Sequence, residues 1–162
     1  MSAKEASAKS AGRSPAGRLI YVINGPNLFG AHQPGVHDQE TMADLERDCR
    51  ALAKTLDLAV AFYQSNLEGG VIDFIHDARA KAAGVTINAG SYAHTSIGIH
   101  DALKILDVPI IEVHMSNIHQ QEEFRHHSYI SRVASGVILG CGAQGYQLAL
   151  QHMARLLGDT RT

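Results

Sequence analysis

Glu112 and His114, two residues apart, are the pair in this chain best suited to moving a proton. They lie in Pro109-Ile-Ile-Glu-Val-His. This stretch reads as a strand, with a proline at its first position and branched apolar residues behind it. Alternation of side chains along a strand puts Glu112 and His114 on one face and Ile111 and Val113 on the other. A carboxylate beside an imidazole orients the ring and stabilises its protonated form, so the histidine can give a proton to a leaving group. A buried Glu-His pair that satisfies only itself has the same pattern. Location favours chemistry, because open α/β sheets bind ligands at the C-terminal ends of their strands.

Composition limits what kind of molecule carries this pair. The chain has 162 residues, 45% of them hydrophobic and 19% charged, with a formal net charge of -2. That suits one soluble domain with a real core and gives no basic field for nucleic acid. Cys49 and Cys141 make neither a disulfide framework nor a metal-ligand spacing, and a reducing cytoplasm fits them best. No apolar run approaches the roughly 18 residues of a membrane span. The ten histidines are dispersed, so no metal site is expected. Residues 1–17 are rich in Ala, Ser, Lys, Gly and Arg and lack an apolar signal region. They read as a disordered tail, with a faint likeness to a transit peptide as the alternative. Residues 18–160 are expected to form the single domain.

Along that domain, strands and helices alternate about five times. Strands are expected at Leu19–Ile23, Leu58–Tyr63, Val85–Asn88, from Pro109, and at Gly136–Gly140. Helices are expected from Thr41, whose Thr-Met-Ala-Asp start resembles a capping box, at Val71–Ala83, around Ile99–Leu106 and at Gln144–Leu157. Gly84 is expected to stop the second helix. This alternation predicts a parallel sheet covered on both faces, a three-layer α/β/α sandwich. The loop from Asn24 to about Glu40 is long enough to act as a lid or binding loop. Asn24, Asn27, His32 and His37 follow the first strand, and Asn88, Ser91 and His94 follow the third. Glu112, His114, Ser116, Asn117 and Arg125 lie at or after the fourth. All belong to one edge of a parallel sheet and can converge. No phosphate-binding glycine loop is present.

Six motifs occur in order: Asn24-Gly-Pro-Asn-Leu, Gln64-Ser-Asn-x-Glu-Gly, Ile87-Asn-Ala-Gly-x-x-x-His-Thr-Ser, Ile111-Glu-Val-His-x-Ser-Asn, Glu123-Phe-Arg-x-His-Ser and Gly136-Val-Ile-x-Gly-x-Gly-x-x-Gly-Tyr. Over Leu19 to Leu157 the chain resembles the type II 3-dehydroquinate dehydratases. The resemblance implies a flavodoxin-like fold with a five-stranded parallel sheet and a homo-oligomer, a dodecamer built from trimers. It implies loss of water from 3-dehydroquinate, a polyhydroxy carboxylate, with no cofactor and no metal. His114 matches the general acid and Glu112 the residue that orients it. Asn27 matches a residue near the enolate and its water. Asn88, His94 and Arg125 match residues that hold the substrate's hydroxyls and carboxylate, and the backbone amides of Met115 and Ser116 match a carboxylate cradle. Asp101 matches an acidic residue that approaches a neighbouring subunit's site.

One loop departs from the family pattern. Where that pattern has Gly-x-Arg-x-Pro-x-x-Tyr-Gly, this chain has Gly30-Ala-His32-Gln-Pro34-Gly-Val-His37-Asp38. His32 takes the arginine position and His37 that of the tyrosine base. Gln121 replaces a further arginine, and Ala93 a threonine. A phenol with a pKa of about 10 needs nearby positive charge to act as a base at neutral pH, whereas an imidazole of about 6.5 does not. The double change is therefore what substitution of one base for another would produce. It also suits a ligand-binding paralogue without catalysis, or a lyase for a related polyhydroxy acid.

Overall fold

Branched apolar runs form five strands: β1 (Leu19–Asn24), β2 (Ala59–Gln64), β3 (Gly84–Asn88), β4 (Ile110–His114) and β5 (Gly136–Leu139). The computed structural model describes residues 18–29 and 40–158. All four strand pairings are parallel and the order across the sheet is β2-β1-β3-β4-β5. Helices α1 (Met42–Thr55), α2 (Glu68–Lys81), α3 (Ile97–Lys104) and α4 (Gln144–Gly158) cover the sheet. The expected three-layer α/β/α sandwich is thus observed, with the flavodoxin-like strand order. The readings on residues 1–17 and on His32 and His37 lie outside the described residues.

Alternation along the strands divides the core in two. Ile20, Val22, Ile111 and Val113 pack with Leu45 and Cys49 of α1 and with Tyr146, Leu150 and Met153 of α4. Tyr21, Ile23, Val85, Ile87 and Ile110 pack on the other face with Val71 and Ile75 of α2 and Ile99 and Leu103 of α3. Thr41 caps α1 as expected: its hydroxyl accepts from the Asp44 amide, and the Asp44 carboxylate accepts from the Thr41 amide. Burial of Cys49 in this core pushes its thiol up to about 12, so it has no role as a thiolate.

Two expectations need correction. Helix α2 begins at Glu68, three residues before Val71, because Ser65 and Asn66 form the turn that precedes it: the Ser65 hydroxyl accepts from the Leu67 amide at 3.0 Å. Gly84 does not stop α2, which ends at Lys81 with Ala82 as its extended cap. Gly84 is the first residue of β3, and a Cβ there would stand 2.4 Å from Met153 Sδ of α4. The glycine serves helix-sheet packing.

The order reverses at β1, with β2 on one side and β3 on the other, and this switch point opens a crevice at the C-terminal edge. Two glycines bring the β1 and β3 exits together. A Cβ on Gly25 would lie 2.2 Å from the Ala89 carbonyl oxygen. Gly90 has φ +59, and a Cβ there would meet the Pro26 carbonyl oxygen at 2.7 Å.

Candidate active site

The crevice at this edge has a volume of about 960 Å³. Asn27 enters it from the β1 exit, Asn88 and His94 from β3 and the turn behind it, and His114, Met115 and Ser116 from the end of β4. Arg125 closes it from the 3-10 turn Glu123–Arg125. These seven residues, together with Ser91 and Gln121, were singled out by sequence and share one cleft. Glu112 stands one step behind the wall, and Asp101 is exposed on α3, away from the cleft.

Glu112 and His114 share a face of β4, as strand alternation requires. The His114 Nε2–H donates to Glu112 Oε1 at 2.7 Å, and both side chains are almost wholly buried. Burial alone would raise the Glu112 carboxyl. Hydrogen bonds from His114, Ser128 and Ser131, together with attraction to His114, outweigh it and hold the carboxyl below its ordinary range. Glu112 is thus a carboxylate at neutral pH, and it fixes the tautomer of His114. The other ring nitrogen, Nδ1, is left to exchange a proton with a ligand.

His94 is held differently. Its Nδ1–H donates to the His127 carbonyl at 2.7 Å, and His127 Nε2–H donates back to the His94 carbonyl at 3.0 Å. The reciprocal clasp orients the ring and leaves Nε2 as an acceptor. Burial lowers the His94 pKa, and the nearby His114 and Arg125 add to the effect, while the hydrogen bond to His127 opposes it. The rings of His94 and His114 lie nearly parallel, 5.9 Å between centroids and 21° between planes. A second positive charge beside His114 and Arg125 is disfavoured, so His94 is held in its neutral form.

The remaining contacts shape the walls. Asn27 adopts a left-handed conformation, φ 58, which asparagine tolerates. Asn88 turns its Oδ1 to the Gly90 amide at 3.2 Å, and its carbonyl accepts from the Gly25 amide at 2.8 Å. Arg125 Nε donates to Glu122 Oε2 at 2.9 Å, and its guanidinium lies 5.3 Å from the Phe124 ring centroid. Gln121, at a family arginine position, also lines the cleft and accepts from His126 Nε2 at 2.8 Å. The Gln64-Ser-Asn-x-Glu-Gly motif does not reach the cleft. Its Glu68 accepts from the Ser96 hydroxyl, and the Asn66 carbonyl accepts from Tyr92 Oη at 2.8 Å, so it ties α2 to the turn before α3.

Sequence reasoning gave His127 and Ser128 no role, although both end the Glu123-Phe-Arg-x-His-Ser motif, and missed Ser131. They fall in an irregular segment between Arg125 and β5, where no periodicity marks which side chain points inward. Among the described residues no helix is long and apolar enough to cross a membrane, and no group of three His, Cys, Asp or Glu could hold a metal ion.

Comparison with known proteins identifies the family. The family model "Dehydroquinase class II" matches residues 18–154. The chain is 51% identical over 140 residues to 3-dehydroquinate dehydratase 2 of Agrobacterium fabrum, covering 85% of this chain and 95% of that protein. It is 48% identical over 139 residues to 3-dehydroquinate dehydratase 2 of Pseudomonas aeruginosa, covering 85% and 94% of the two chains. Among solved structures, the type II dehydroquinase of Propionibacterium acnes superposes with a TM-score of 0.81 at 40% identity, covering 85% of this chain and 97% of that one. A carboxylate-oriented imidazole at the mouth of a flavodoxin-like sheet, in a chain whose residues 18–154 match the family model, places this protein in the type II dehydroquinase family.

Proposed function

We propose that this chain removes water from 3-dehydroquinate to give 3-dehydroshikimate, with residues 18–160 as the working domain and no cofactor. The observation that carries the reading is the 2.7 Å hydrogen bond between Glu112 and His114 at the wall of the cleft. In this reading a base takes the proton next to the ketone and an enolate forms. The hydroxyl β to the carbonyl then leaves with a proton from His114 Nδ1, so one water departs and His114 is reprotonated from solvent. Glu112 stabilises the imidazolium and keeps the ring in place. His94, neutral, accepts from a substrate hydroxyl. Asn88 holds a second hydroxyl, and Asn27 stands beside the enolate oxygen.

Arg125 meets the substrate carboxylate together with the backbone amides of Met115 and Ser116. A guanidinium suits that task because it offers two parallel N–H donors. His37 is assigned the base, with His32 at the family's arginine position. A histidine base needs no arginine to be unprotonated at pH 7. Self-association is part of the reading. Asp101 is exposed on α3, and the large apolar side chains of Leu67, Ile97 and Ile105 are exposed on α2 and α3 and the residues flanking them. Such surface favours burial against another copy, and a dodecamer of trimers would carry Asp101 toward a neighbouring cleft.

The base assignment has its own test. His37→Ala is expected to abolish turnover while ligand-induced stabilisation persists. The acid limb of the rate profile should follow an imidazole, with an apparent pKa of about 6.5. The pair His32→Arg with His37→Tyr should restore dehydration by the phenol route. Full turnover by His37→Ala would remove His37 from the mechanism.

A further inference from the structure

Glu112 makes more hydrogen bonds than a partner for His114 needs. It is fully buried, and both of its oxygens are occupied. Oε1 accepts from His114 Nε2 and from the Ser128 hydroxyl, and Oε2 accepts from the Ser131 hydroxyl. The two serines lie three residues apart in the segment that leads from Arg125 to β5. That segment is itself anchored. Ile130 is fully buried in the core beneath α2 and α3, the Tyr129 amide donates to the Ala93 carbonyl at 2.9 Å, and the Ser135 amide donates to the Ile110 carbonyl at 2.7 Å. Ser128 Oγ also accepts from the Ile130 amide at 3.1 Å, which leaves its own proton to point at Glu112. Neither serine lines the cleft.

We propose that Ser128 and Ser131 are positioning residues for the proton donor: from the far side of Glu112 they hold its carboxylate in the one orientation that accepts from His114 Nε2. The reading rests on His114 as the general acid. A buried carboxylate with a single donor can rotate about its last torsion and lose that bond. It also concentrates its charge on the imidazole it faces. Two neutral hydroxyls stop the rotation and share the charge without adding any of their own. The segment thereby acts on both imidazoles of the cleft, through His127 on His94 and through the two serines on His114.

Removing the hydroxyls has a defined direction. The state most harmed is the one with Glu112 charged and His114 neutral, because its charge then has the fewest donors. The pair therefore binds its proton more tightly in Ser128→Ala/Ser131→Ala, and the alkaline limb of the kcat profile moves to higher pH. The other titratable or charged groups near the pair are His94 from the turn after β3, His127 from the return segment, and Arg125 and Glu122 on the cleft wall; none of these is altered. With the ring no longer fixed, kcat falls by roughly 10- to 100-fold, while KM for 3-dehydroquinate stays within about twofold, because no group contacting substrate is lost.

The experiment measures kcat and KM across pH for the wild type, the double alanine variant and Ser131→Thr. It also follows the His114 ring by NMR titration in each, which needs no substrate. Ser131→Thr keeps the hydroxyl and is expected to keep both kcat and profile. Support consists of a lowered kcat, an unchanged KM, a displaced alkaline limb and a raised His114 titration midpoint in the double variant. An unchanged kcat and profile overturns the proposal. So does a loss confined to KM or to melting temperature with the His114 titration unmoved. If the wild type itself fails to turn over 3-dehydroquinate, the proposed function fails, and the NMR titration still decides whether the serines act on His114.

Discussion

At the floor of the cleft, His94 and His114 are 9% and 5% exposed, and each is held by a named partner: the His127 carbonyl for one, the Glu112 carboxylate for the other. At the rim, the Arg125 side chain keeps 34% of its surface exposed and its Glu122 partner 61%. Low surrounding dielectric makes each floor contact strong and each unsatisfied group there costly. The rim pair is screened by water and worth about 0–1 kcal/mol. Under the proposed function the contrast separates two tasks. The floor sets the direction of the acid before substrate arrives, and the rim gives up a weak pair so that Arg125 can turn to an incoming carboxylate.

Substitutions at the two levels should therefore fail differently. The largest effect is expected from His114→Gln, which keeps the shape of the side chain but cannot give a proton. A loss in kcat of about 10²- to 10⁴-fold should appear, with substrate still raising the melting temperature. A proportional rise in KM instead would merge floor and rim into one function. Next is Arg125→Ala, which removes a charge-assisted contact worth about 1.5–3 kcal/mol. Its signature is a rise in KM of about 10- to 100-fold with a smaller change in kcat. Smaller still is Glu122→Gln, expected to change KM by less than about fivefold, because it removes only an exposed competitor for Arg125. A loss of kcat in Glu122→Gln would place that carboxylate in the chemistry.

The smallest effect concerns stability. Burial depresses the His94 pKa in the folded protein below its ordinary value of 6.5. The unfolded chain therefore takes up a proton more readily as pH falls, and the contribution of neutral His94, full above about 6.5, is lost on acidification through the folded pKa. Glu112, also depressed, contributes fully above the ordinary glutamate range of about 4.3 and loses its share below it. Thermal unfolding at pH 7.5, 6 and 5 should show the wild type losing more stability between the first two points than His94→Gln does. Identical slopes would mean that His94 is not held neutral.

Much of this division was legible in the amino-acid order. Alternation alone put Glu112 and His114 on one face, and placement after β1, β3 and β4 gathered Asn27, Asn88, His94 and Arg125 at one edge. Those signals are local and periodic. What supports them is neither. Ser128 and Ser131 reach Glu112 across 16 and 19 residues of chain, and His127 meets His94 across 33. Such contacts come from how the return segment docks, which no spacing encodes. Gly84 misled for a related reason: a glycine after a helix resembles a stop signal, yet its small size here admits Met153 from a helix that begins 60 residues later.

The most direct test of the account is turnover of 3-dehydroquinate by purified protein at neutral pH, followed through the near-ultraviolet absorbance of the conjugated enone product. Steady growth of that absorbance is expected, and its loss in His114→Gln. A rise in melting temperature with 3-dehydroquinate but no enone would contradict it and leave a binding protein in its place.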